Sequence, residues 1–459
     1  MAEGAETEAP ERRFEIDPHF ITLVTAAAYD RDGPELRKLL RDLHPADLAD
    51  LVEHLPEEAL NRLLRLIGPE LPPDFLAELE WETRERVLAL LPADYVGRAL
   101  GELDTDDAAA VAADLDEQKL EEALAAADED TRLAVEQGLA AEEDTAGRLM
   151  QRELAAAPEY WTVGDAIDHM RSEDAELPEV FFEIYVVDPG FRPIGAVPVS
   201  RLLRARRETP LREIMRPPQA LIRPEMDQEE VAFVFRKYNL ASAPVVDEAG
   251  RITGVLTVDD IVHVIQEEGE EDLLKLSGVS DASQTDTVVT SVRARAPWLS
   301  FNLLTGLASA TVISFFGASI EKVVALAVLM PIVASVGGNA GTQALAVAVR
   351  AIASRDLTAS NAFRHIVREL MTGAFNGLFM ALLLAVAAQL WFHDPRISAA
   401  VAAAVVINLT VAGLAGILIP LALRRAGADP AVSSSVFVTF VTDFTGFLAF
   451  LGLATAFLA

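Results

Sequence analysis

Cysteine is absent from this chain of 459 residues, and positive charge is scarce in it. The lack of cysteine excludes disulfide bonds, thiolate zinc sites and cysteine nucleophiles. The 38 Lys and Arg residues face 71 Asp and Glu residues, which gives a formal net charge of −33. A chain this acidic repels nucleic-acid phosphates and attracts cations, so we expect a metal partner and no nucleic acid.

The two ends of the chain lack different features. The N-terminal sequence MAEGAETEAPERR has no apolar core, so it predicts no signal peptide, and we expect residues 1–20 to be a disordered acidic segment. Residues 297–459 lack charge: eight Lys or Arg and six Asp or Glu give +2, so residues 1–296 carry −35. We therefore predict several domains, with an acidic soluble part followed by an apolar membrane part.

Five apolar stretches in the C-terminal part are long enough to cross a bilayer. They cover residues 298–318, 323–349, 370–392, 398–423 and 432–458. Arginines precede the first stretch, separate the second from the third, and separate the fourth from the fifth. Under the positive-inside rule these loops are cytoplasmic. The pattern predicts a multi-pass protein of the inner or plasma membrane, in contact with lipid, with its N-terminus in the cytoplasm and its C-terminus outside.

Asp443 lies alone near the middle of the fifth apolar stretch, in VFVTFVTDFTG, next to Thr442. A carboxylate at that depth costs about 2.5–3.5 kcal/mol on insertion scales. We therefore expect it to face a water-filled path or an ion. A hydrogen-bonded structural role is the alternative.

The second apolar stretch contains PIVASVGGNAGTQ, in which glycines alternate with amide and hydroxyl side chains. A broken helix here would expose carbonyl groups to a cation, whereas close helix packing through small residues is the alternative. The predicted pore residues are Asp443, Thr442, Asn339 and Gly338. Oxygen ligands with one formal charge suit hydrated Mg²⁺ better than Zn²⁺ or Cu²⁺, and a weak site favours conduction.

A repeat with a spacing of 59 residues lies upstream of the membrane part. Residues 184–188 and 195–199 return as residues 243–247 and 254–258, and each copy reads strand, turn, strand, helix. With one preceding helix each, the two copies resemble a tandem pair of CBS modules. Such pairs often bind adenine nucleotides through a Gly-x-x-Thr-x-x-Asp pattern. The second copy offers Gly254, Thr257 and Asp260, which makes ATP a weakly indicated ligand.

Short amphipathic helices are predicted on the N-terminal side of this repeat. Helix starts recur every 12 residues, at PAD (92–94), DTD (104–106), DEQ (116–118) and DED (128–130). Asp or Pro at a helix start supplies a cap or a preset φ angle, so these units predict a small helical superhelix.

A run of acidic residues follows the repeat and leads to the membrane part. Its members are Asp260, Glu267, Glu268, Glu270, Glu271 and Asp272. These carboxylates repel one another unless a cation screens them, although a solvated acidic helix is the simpler interpretation of a charge run.

The order of these parts is similar to that of the MgtE family. The resemblance covers nearly the whole chain and rests on GGNAGTQ at 337–343, on Asp429 and Pro430, and on TDFTG at 442–446. It implies an all-α N domain (21–145), two α/β CBS modules (146–208 and 209–268), an acidic linker or plug helix (269–296) and a five-helix transmembrane domain (297–459). It also implies a homodimer in which both copies of Asp443 bind hydrated Mg²⁺.

The resemblance further implies a cytosolic gate that closes when Mg²⁺ is plentiful. The implied sensing residues are Asp106, Asp227, Glu229, Asp260, Glu268, Glu271 and Asp272. Ala110, Asn239 and His263 stand where the family has acids, so the number of bound ions is left open.

Other function classes fit the sequence less well. An intramembrane aspartyl protease needs two carboxylates in reach of each other, and Asp443 is the one at mid-depth in an apolar stretch, so we expect no enzyme. A membrane-anchored metal or nucleotide sensor would not need that Asp. Within transport, a coupled exchanger and permeation by Co²⁺ or Mn²⁺ stay open.

Overall fold

The computed structural model describes residues 16–172, 177–178, 180–277, 288–358, 360–431 and 434–458. It divides into two compact units, Met1–Ile265 and Gln266–Ala459. Most of the segment expected to be disordered lies outside the described residues. The expectation is wrong for residues 18–20, which belong to the first helix, because Asp17 accepts a hydrogen bond from the His19 amide at 2.9 Å and Pro18 presets the first helical position.

The first unit begins with a helical domain built around one core of Leu, Val and Ala side chains. Its helices are α1 (Pro18–Asp30), α2 (Gly33–Leu40), α3 (Pro45–His54), α4 (Glu57–Ile67), α5 (Phe75–Glu78), α6 (Trp81–Leu90), α7 (Ala93–Glu102), α8 (Thr105–Ala113), α9 (Glu117–Ala126), α10 (Glu129–Leu139) and α11 (Ala146–Leu149). The predicted 12-residue starts are confirmed in α7 to α10. Asp116 and Asp128 cap their helices by accepting from the amides of Lys119 and Thr131 at 2.9 and 2.8 Å.

The predicted repeat forms two strand pairs with the same irregularity. The elements are β1 (Ala156–Pro158), α12 (Val163–Met170), β2 (Glu183–Val187), β3 (Pro193–Pro198), α13 (Val199–Leu202), α14 (Leu211–Ile214), α15 (Gln228–Tyr238), β4 (Ser242–Val246), β5 (Ile252–Thr257) and α16 (Val258–Leu276). β2 pairs antiparallel with β3 and parallel with β1, and β4 pairs antiparallel with β5. The register shifts after Val186 in the first copy and after Val245 in the second, so the 59-residue repeat is structural as well as sequential.

The linker does not begin as a separate element at residue 269. α16 continues from Val258 to Leu276, because Gly269 meets no crowding and Gln266 bonds Glu270 one turn later at 3.0 Å. Of the remaining predicted linker, residues 278–287 lie outside the described residues, and residues 288–296 belong to the next helix.

Five helices of the described residues have the length and composition to cross a membrane, which confirms the predicted number. They are α17 (Val288–Phe315), α19 (Ala325–Ala353), α20 (Ala362–Phe392), α21 (Pro395–Arg425) and α22 (Ser434–Leu458), with the short α18 (Gly317–Lys322) after the first. The first helix ends at Phe315 rather than at residue 318, and the third begins at Ala362 rather than at residue 370.

The predicted break in the second span is wrong. α19 is helical throughout, including the two adjacent glycines Gly337 and Gly338. Glycine lowers intrinsic helix stability by about 1 kcal/mol. Here the missing side chains allow neighbouring helices to approach closely, and that packing holds the helix together.

Candidate ion path and carboxylate clusters

The glycines of α19 mark its closest contacts with other helices. A Cβ atom added to Gly337 would lie 2.1 Å from Asn408 Nδ2 on α21, and one added to Gly341 would lie 2.5 Å from Val438 Cγ1 on α22. On α21, a Cβ at Gly416 would lie 2.6 Å from Ala344 Cβ. These distances are too short for real side chains. The glycine run therefore serves close helix packing, the alternative to a broken pore helix.

Asn408 is a polar centre of the membrane unit that the sequence analysis missed. Its side chain is fully buried, and its Nδ2 donates to the Val333 carbonyl oxygen on α19 at 3.0 Å. Its Oδ1 has no hydrogen-bond partner within the described part of the chain. The available clue was a lone amide in the apolar run VVINLTV, because polar residues inside a membrane helix are usually functional.

The structure places the four predicted pore residues on two helices. Asp443 on α22 is half-buried, and within the described residues its carboxylate forms no hydrogen bond or ion pair. Asn339 is exposed on α19, and a Cβ added to Gly338 would meet nothing within 4 Å. Thr442 differs from the prediction. It is fully buried against α19, and its hydroxyl donates to the Thr439 carbonyl at 2.9 Å, so it does not face open space.

One contact sets the relative level of these residues. A Cβ at Gly341 would lie 3.4 Å from Thr442 Cγ2, so α19 and α22 meet at these two positions. Asp443 follows Thr442 directly, and Gly338 and Asn339 lie within three residues of Gly341. With a rise of about 1.5 Å per residue, all of them lie within about 5 Å along the helix axes.

A cluster of carboxylates in the first unit forms around the start of α8. The Thr105 hydroxyl donates to Glu153 Oε2 at 2.9 Å and accepts from the Arg152 amide at 2.8 Å, which fixes the first turn of α8. Asp106 follows and is buried, with Oδ1 lacking a hydrogen-bond partner within the described ranges. Burial raises the pKa of Asp106 well above its usual range, and the Asp260 carboxylate raises it further.

Asp107 belongs to the same cluster and was not predicted. Burial, with Asp260 as the next contribution, raises the pKa of Asp107 to about 7. Burial also raises the pKa of Asp260 to about 6, although Thr257 and His263 act to lower it. The Thr257 hydroxyl donates to Asp260 Oδ2 at 2.5 Å. Ala110 is exposed one turn after Asp106.

The other predicted sensing residues of the first unit lie at helix ends. Asp227 caps α15 and accepts from the Glu229 amide at 2.9 Å, and Glu229 is exposed in the first turn. Asn239 ends α15 with a φ of +50°, and its amide donates to the Phe235 carbonyl. An asparagine tolerates this left-handed conformation, which accounts for its place there.

The predicted sensing residues at the end of α16 face a lysine. Lys275 Nζ lies 2.9 Å from Asp429 Oδ2 in the loop before α22, and it also pairs with Glu271. Burial raises the pKa of Asp272, and Asp429 adds to the rise. Glu268 is half-buried one turn earlier. Within the described residues, no three His, Asp or Glu side chains lie close enough together to hold a metal ion, here or elsewhere.

The fold and these sites define a multi-pass membrane protein with a helical N domain and a CBS pair. A family model described as "MgtE: Divalent cation transporter" matches residues 330–453, a model of the MgtE intracellular N domain matches 43–144, and CBS models match 146–208 and 211–267. The chain is similar to the magnesium transporter MgtE of Bacillus subtilis, with 33% identity over 317 residues, 69% of this chain and 70% of the relative.

A second relative, the magnesium transporter MgtE of Thermus thermophilus, is 35% identical over 326 residues, 70% of this chain and 72% of the relative. Among solved structures, the cytosolic domain of the Mg²⁺ channel MgtE in complex with ATP is 33% identical, with a TM-score of 0.49, and the match covers 53% of this chain and 99% of that one. The chain belongs to the MgtE family of magnesium transporters. The predicted family and fold class are thereby confirmed, and the curated relatives are named as transporters rather than enzymes.

Proposed function

We propose that this protein mediates Mg²⁺ uptake across the cell membrane along a path that includes Asp443. The observation that carries the proposal is the half-buried Asp443 carboxylate without a protein partner among the described residues. A charge inside a membrane is costly unless water or an ion faces it. Asn339, at the same level of α19, adds a neutral amide oxygen suited to a hydrated hard cation, and Gly338 beside it leaves open space.

Mg²⁺ flux into proteoliposomes tests this proposal. Asp443→Asn keeps the shape of the side chain and removes its charge, so we expect flux to fall by about tenfold or more, because one pore charge is worth more than 1.4 kcal/mol at low dielectric. Glu321→Gln, on the exposed short helix α18 of the same unit, is the matched control and should leave flux unchanged. Wild-type flux in folded Asp443→Asn protein would contradict the proposed path.

We further propose that Mg²⁺ closes this path by binding to the cytosolic carboxylates. Burial raises the pKa values of Asp106, Asp107 and Asp260, and the Asp260 charge adds to the rise at Asp106 and Asp107, so keeping these carboxylates charged costs free energy. A divalent cation removes that cost, so it favours the compact arrangement by mass action. Asp107 would supply the charge that Ala110 lacks. The remaining proposed sensing residues are Asp227, Glu229, Glu268, Glu271 and Asp272.

Inhibition of flux by Mg²⁺ on the cytosolic side tests the gate. Asp106→Asn and Asp260→Asn should raise the Mg²⁺ concentration for half-inhibition while leaving maximal flux intact, because the path itself is unchanged. Glu129→Gln, an exposed acid in the first turn of α10, is the matched control. An unchanged half-inhibition in both variants would remove this cluster from the gate.

An adenine nucleotide is the proposed second ligand of the CBS pair. Thr257 and Asp260 are already joined by a hydrogen bond, and Thr257 lines a small cleft together with Tyr185 and Ser242. Calorimetric titration with ATP should give a binding isotherm that Thr257→Ala weakens. No heat of binding in the wild type would reject ATP.

The proposed assembly is a homodimer with a cytoplasmic N-terminus and an external C-terminus. Tag accessibility at each end of the chain in sealed cells tests the orientation, and light scattering in detergent tests the dimer. Competition by Co²⁺ and Mn²⁺ distinguishes a Mg²⁺-selective channel from a broader transporter. Mg²⁺ flux in the absence of a gradient of any second ion distinguishes a channel from a coupled exchanger. A membrane-anchored sensor would show no flux at all.

A further inference from the structure

Asn408 occupies the place where three membrane helices approach most closely. Its Nδ2 donates to the Val333 carbonyl of α19 at 3.0 Å. A Cβ atom added to Gly337 on α19 would lie 2.1 Å from Nδ2, and one added to Gly446 on α22 would lie 2.7 Å from the same atom. For both glycines the three nearest atoms are all atoms of the Asn408 amide. The amide therefore fills the space that two glycines on different helices leave open.

Each helix presents a stripe of residues spaced by four at this contact. Asn408 is followed on α21 by the buried Ala412 and Gly416, and Gly337 is followed on α19 by Gly341. On α22, Gly446 is preceded by the buried Thr442. The rest of these stripes makes close van der Waals contacts, which have no preferred direction. The hydrogen bond of Asn408 is directional, so it fixes how α21 and α19 are rotated against each other.

This contact lies next to the proposed ion path. Asp443 precedes Gly446 by three residues, less than one helical turn. Gly338 and Asn339 directly follow Gly337 on α19. A rotation of α22 or α19 at Asn408 would therefore move the very groups proposed to face the ion.

Stability alone does not account for this side chain. The Asn408 side chain is completely buried, and its Oδ1 has no hydrogen-bond partner among the described residues. A buried polar atom without a partner lowers stability. A leucine of similar size would avoid that cost in an apolar helix interface. An asparagine differs from leucine here because its amide donates a directional hydrogen bond to α19.

We propose that Asn408 is a positioning residue of the ion path, which holds α19 and α22 in the rotation that presents Asp443, Gly338 and Asn339 to the passing cation. This inference rests on the proposed function, because it assumes a path at Asp443. Asn408 itself does not contact the ion. It acts through the Val333 carbonyl and through the two glycines that rest on its amide.

The first variant is Asn408→Leu, which keeps the approximate size and removes the hydrogen bond. We expect folded protein with Mg²⁺ flux reduced about three- to fifteenfold, the range that corresponds to an interhelical hydrogen bond in a membrane, together with a changed ratio of Mg²⁺ to Co²⁺ flux. A purely structural residue would lower the amount of folded protein without changing that ratio. Thr410→Val is the matched control, because Thr410 lies on the same helix and bonds its own Val406 carbonyl.

A second pair of variants keeps the inference testable if Asn408→Leu fails to fold. Gly337→Ala alone should disrupt the membrane unit, since its Cβ would collide with the amide. Gly337→Ala combined with Asn408→Ala removes all three colliding atoms, so thermal stability should return while the flux ratio stays altered. Wild-type flux and ratio in either Asn408→Leu or the double variant would overturn the inference. Wild-type flux in Asp443→Asn would instead overturn the proposed path, so the two failures are distinguishable.

Discussion

The two units of this protein treat buried carboxylates in opposite ways. In the first unit, burial raises the pKa values of Asp106, Asp107 and Asp260, and the Asp260 carboxylate raises those of Asp106 and Asp107 further. In the membrane unit, Asp443 stands alone on α22, near the neutral groups of α19. Each carboxylate added to a cation site strengthens its hold on the ion. A single carboxylate with neutral neighbours holds it weakly.

The difference suits the two proposed tasks. A sensor must stay occupied at the ion concentration that it reports, so several charges in one place serve it. A conducting path must release the ion as readily as it binds it, so one charge is enough. A site with several carboxylates in the first unit thus contrasts with a sparse site in a tightly packed membrane unit.

The largest effect on folding is expected at the glycines that bring the membrane helices together. Gly341→Val places a side chain 2.5 Å from Val438 Cγ1, and we expect it to lower the free energy of unfolding by about 3 kcal/mol or more. Gly338→Ala is the matched control for stability, because its Cβ meets nothing within 4 Å. Thermal melting in detergent measures both. Equal melting temperatures for the two variants would contradict the packing described for α19.

The next effect concerns the crowded carboxylates and pH. A carboxyl group whose pKa is raised in the folded protein favours folding below its ordinary pKa near 4, and this contribution is lost as pH rises through the folded value. For Asp107 that value is about 7. A rise of about three pKa units corresponds to at most about 4 kcal/mol, and solvent screening at the partly buried Asp107 lowers this contribution. Asp107→Asn should therefore stabilise the metal-free protein by about 2 kcal/mol at pH 8 and by little at pH 4.

Differential scanning calorimetry in EDTA at the two pH values measures this gain. Added Mg²⁺ at pH 8 should stabilise the wild type more than Asp107→Asn, because the cation neutralises the Asp107 charge, which the variant lacks. Asp130→Asn, which removes an exposed acid from the first turn of α10, serves as control. A stabilisation of Asp107→Asn that does not depend on pH would show that charge crowding is not its cause.

A smaller effect is expected at Lys275, which lies in the last turn of α16 and pairs with Asp429 in the loop before α22. Lys275 pairs with Glu271 and Asp429, with side chains of Lys275 and Asp429 26% and 34% exposed. Burial alone would lower the pKa of Lys275, but its hydrogen bonds to these carboxylates raise it above the usual range, so it is charged throughout the physiological range. Without the positive charge of Lys275, the acidic residues at the end of α16 would repel Asp429.

Lys275→Gln should weaken that contact by about 1 kcal/mol, the upper range for partly exposed pairs. If the contact contributes to the closed state, flux at high cytosolic Mg²⁺ should rise about fivefold. Lys38→Gln removes a similar pair with Glu35 on the surface of the first unit and should change nothing. Unchanged flux in Lys275→Gln would limit this ion pair to local structure.

Local features of this fold were predictable, and features that depend on distant neighbours were not. The caps at Asp116 and Asp128 and the paired strand repeats follow from short-range patterns, so they were found. The continuity of α19 depends on Asn408 and Val438, which lie 60 residues or more along the chain, so a glycine pair was misinterpreted as a break. Asp107 was missed for the same reason: the family resemblance implied Asp106 as a sensing residue, and the burial of Asp107 arises only from tertiary packing.

The smallest expected effect lies at Asn239, one of the positions where the resemblance implies an acid. The backbone there has a φ of +50°, which asparagine, aspartate and glycine accept. Asn239→Asp restores the acid at the C-terminal end of α15, where a negative charge opposes the helix dipole by about 0.3–1 kcal/mol. We therefore expect a slightly lower melting temperature without metal and a larger rise on adding Mg²⁺ than in the wild type.

Asn239→Gly is the control, because glycine accepts the same backbone conformation without a charge. It separates the effect of the backbone conformation from the effect of the added charge. If Asn239→Asp and Asn239→Gly respond equally to Mg²⁺, this position is a helix end and not a sensing site, and the crowded site of the soluble unit is confined to the carboxylates around α8.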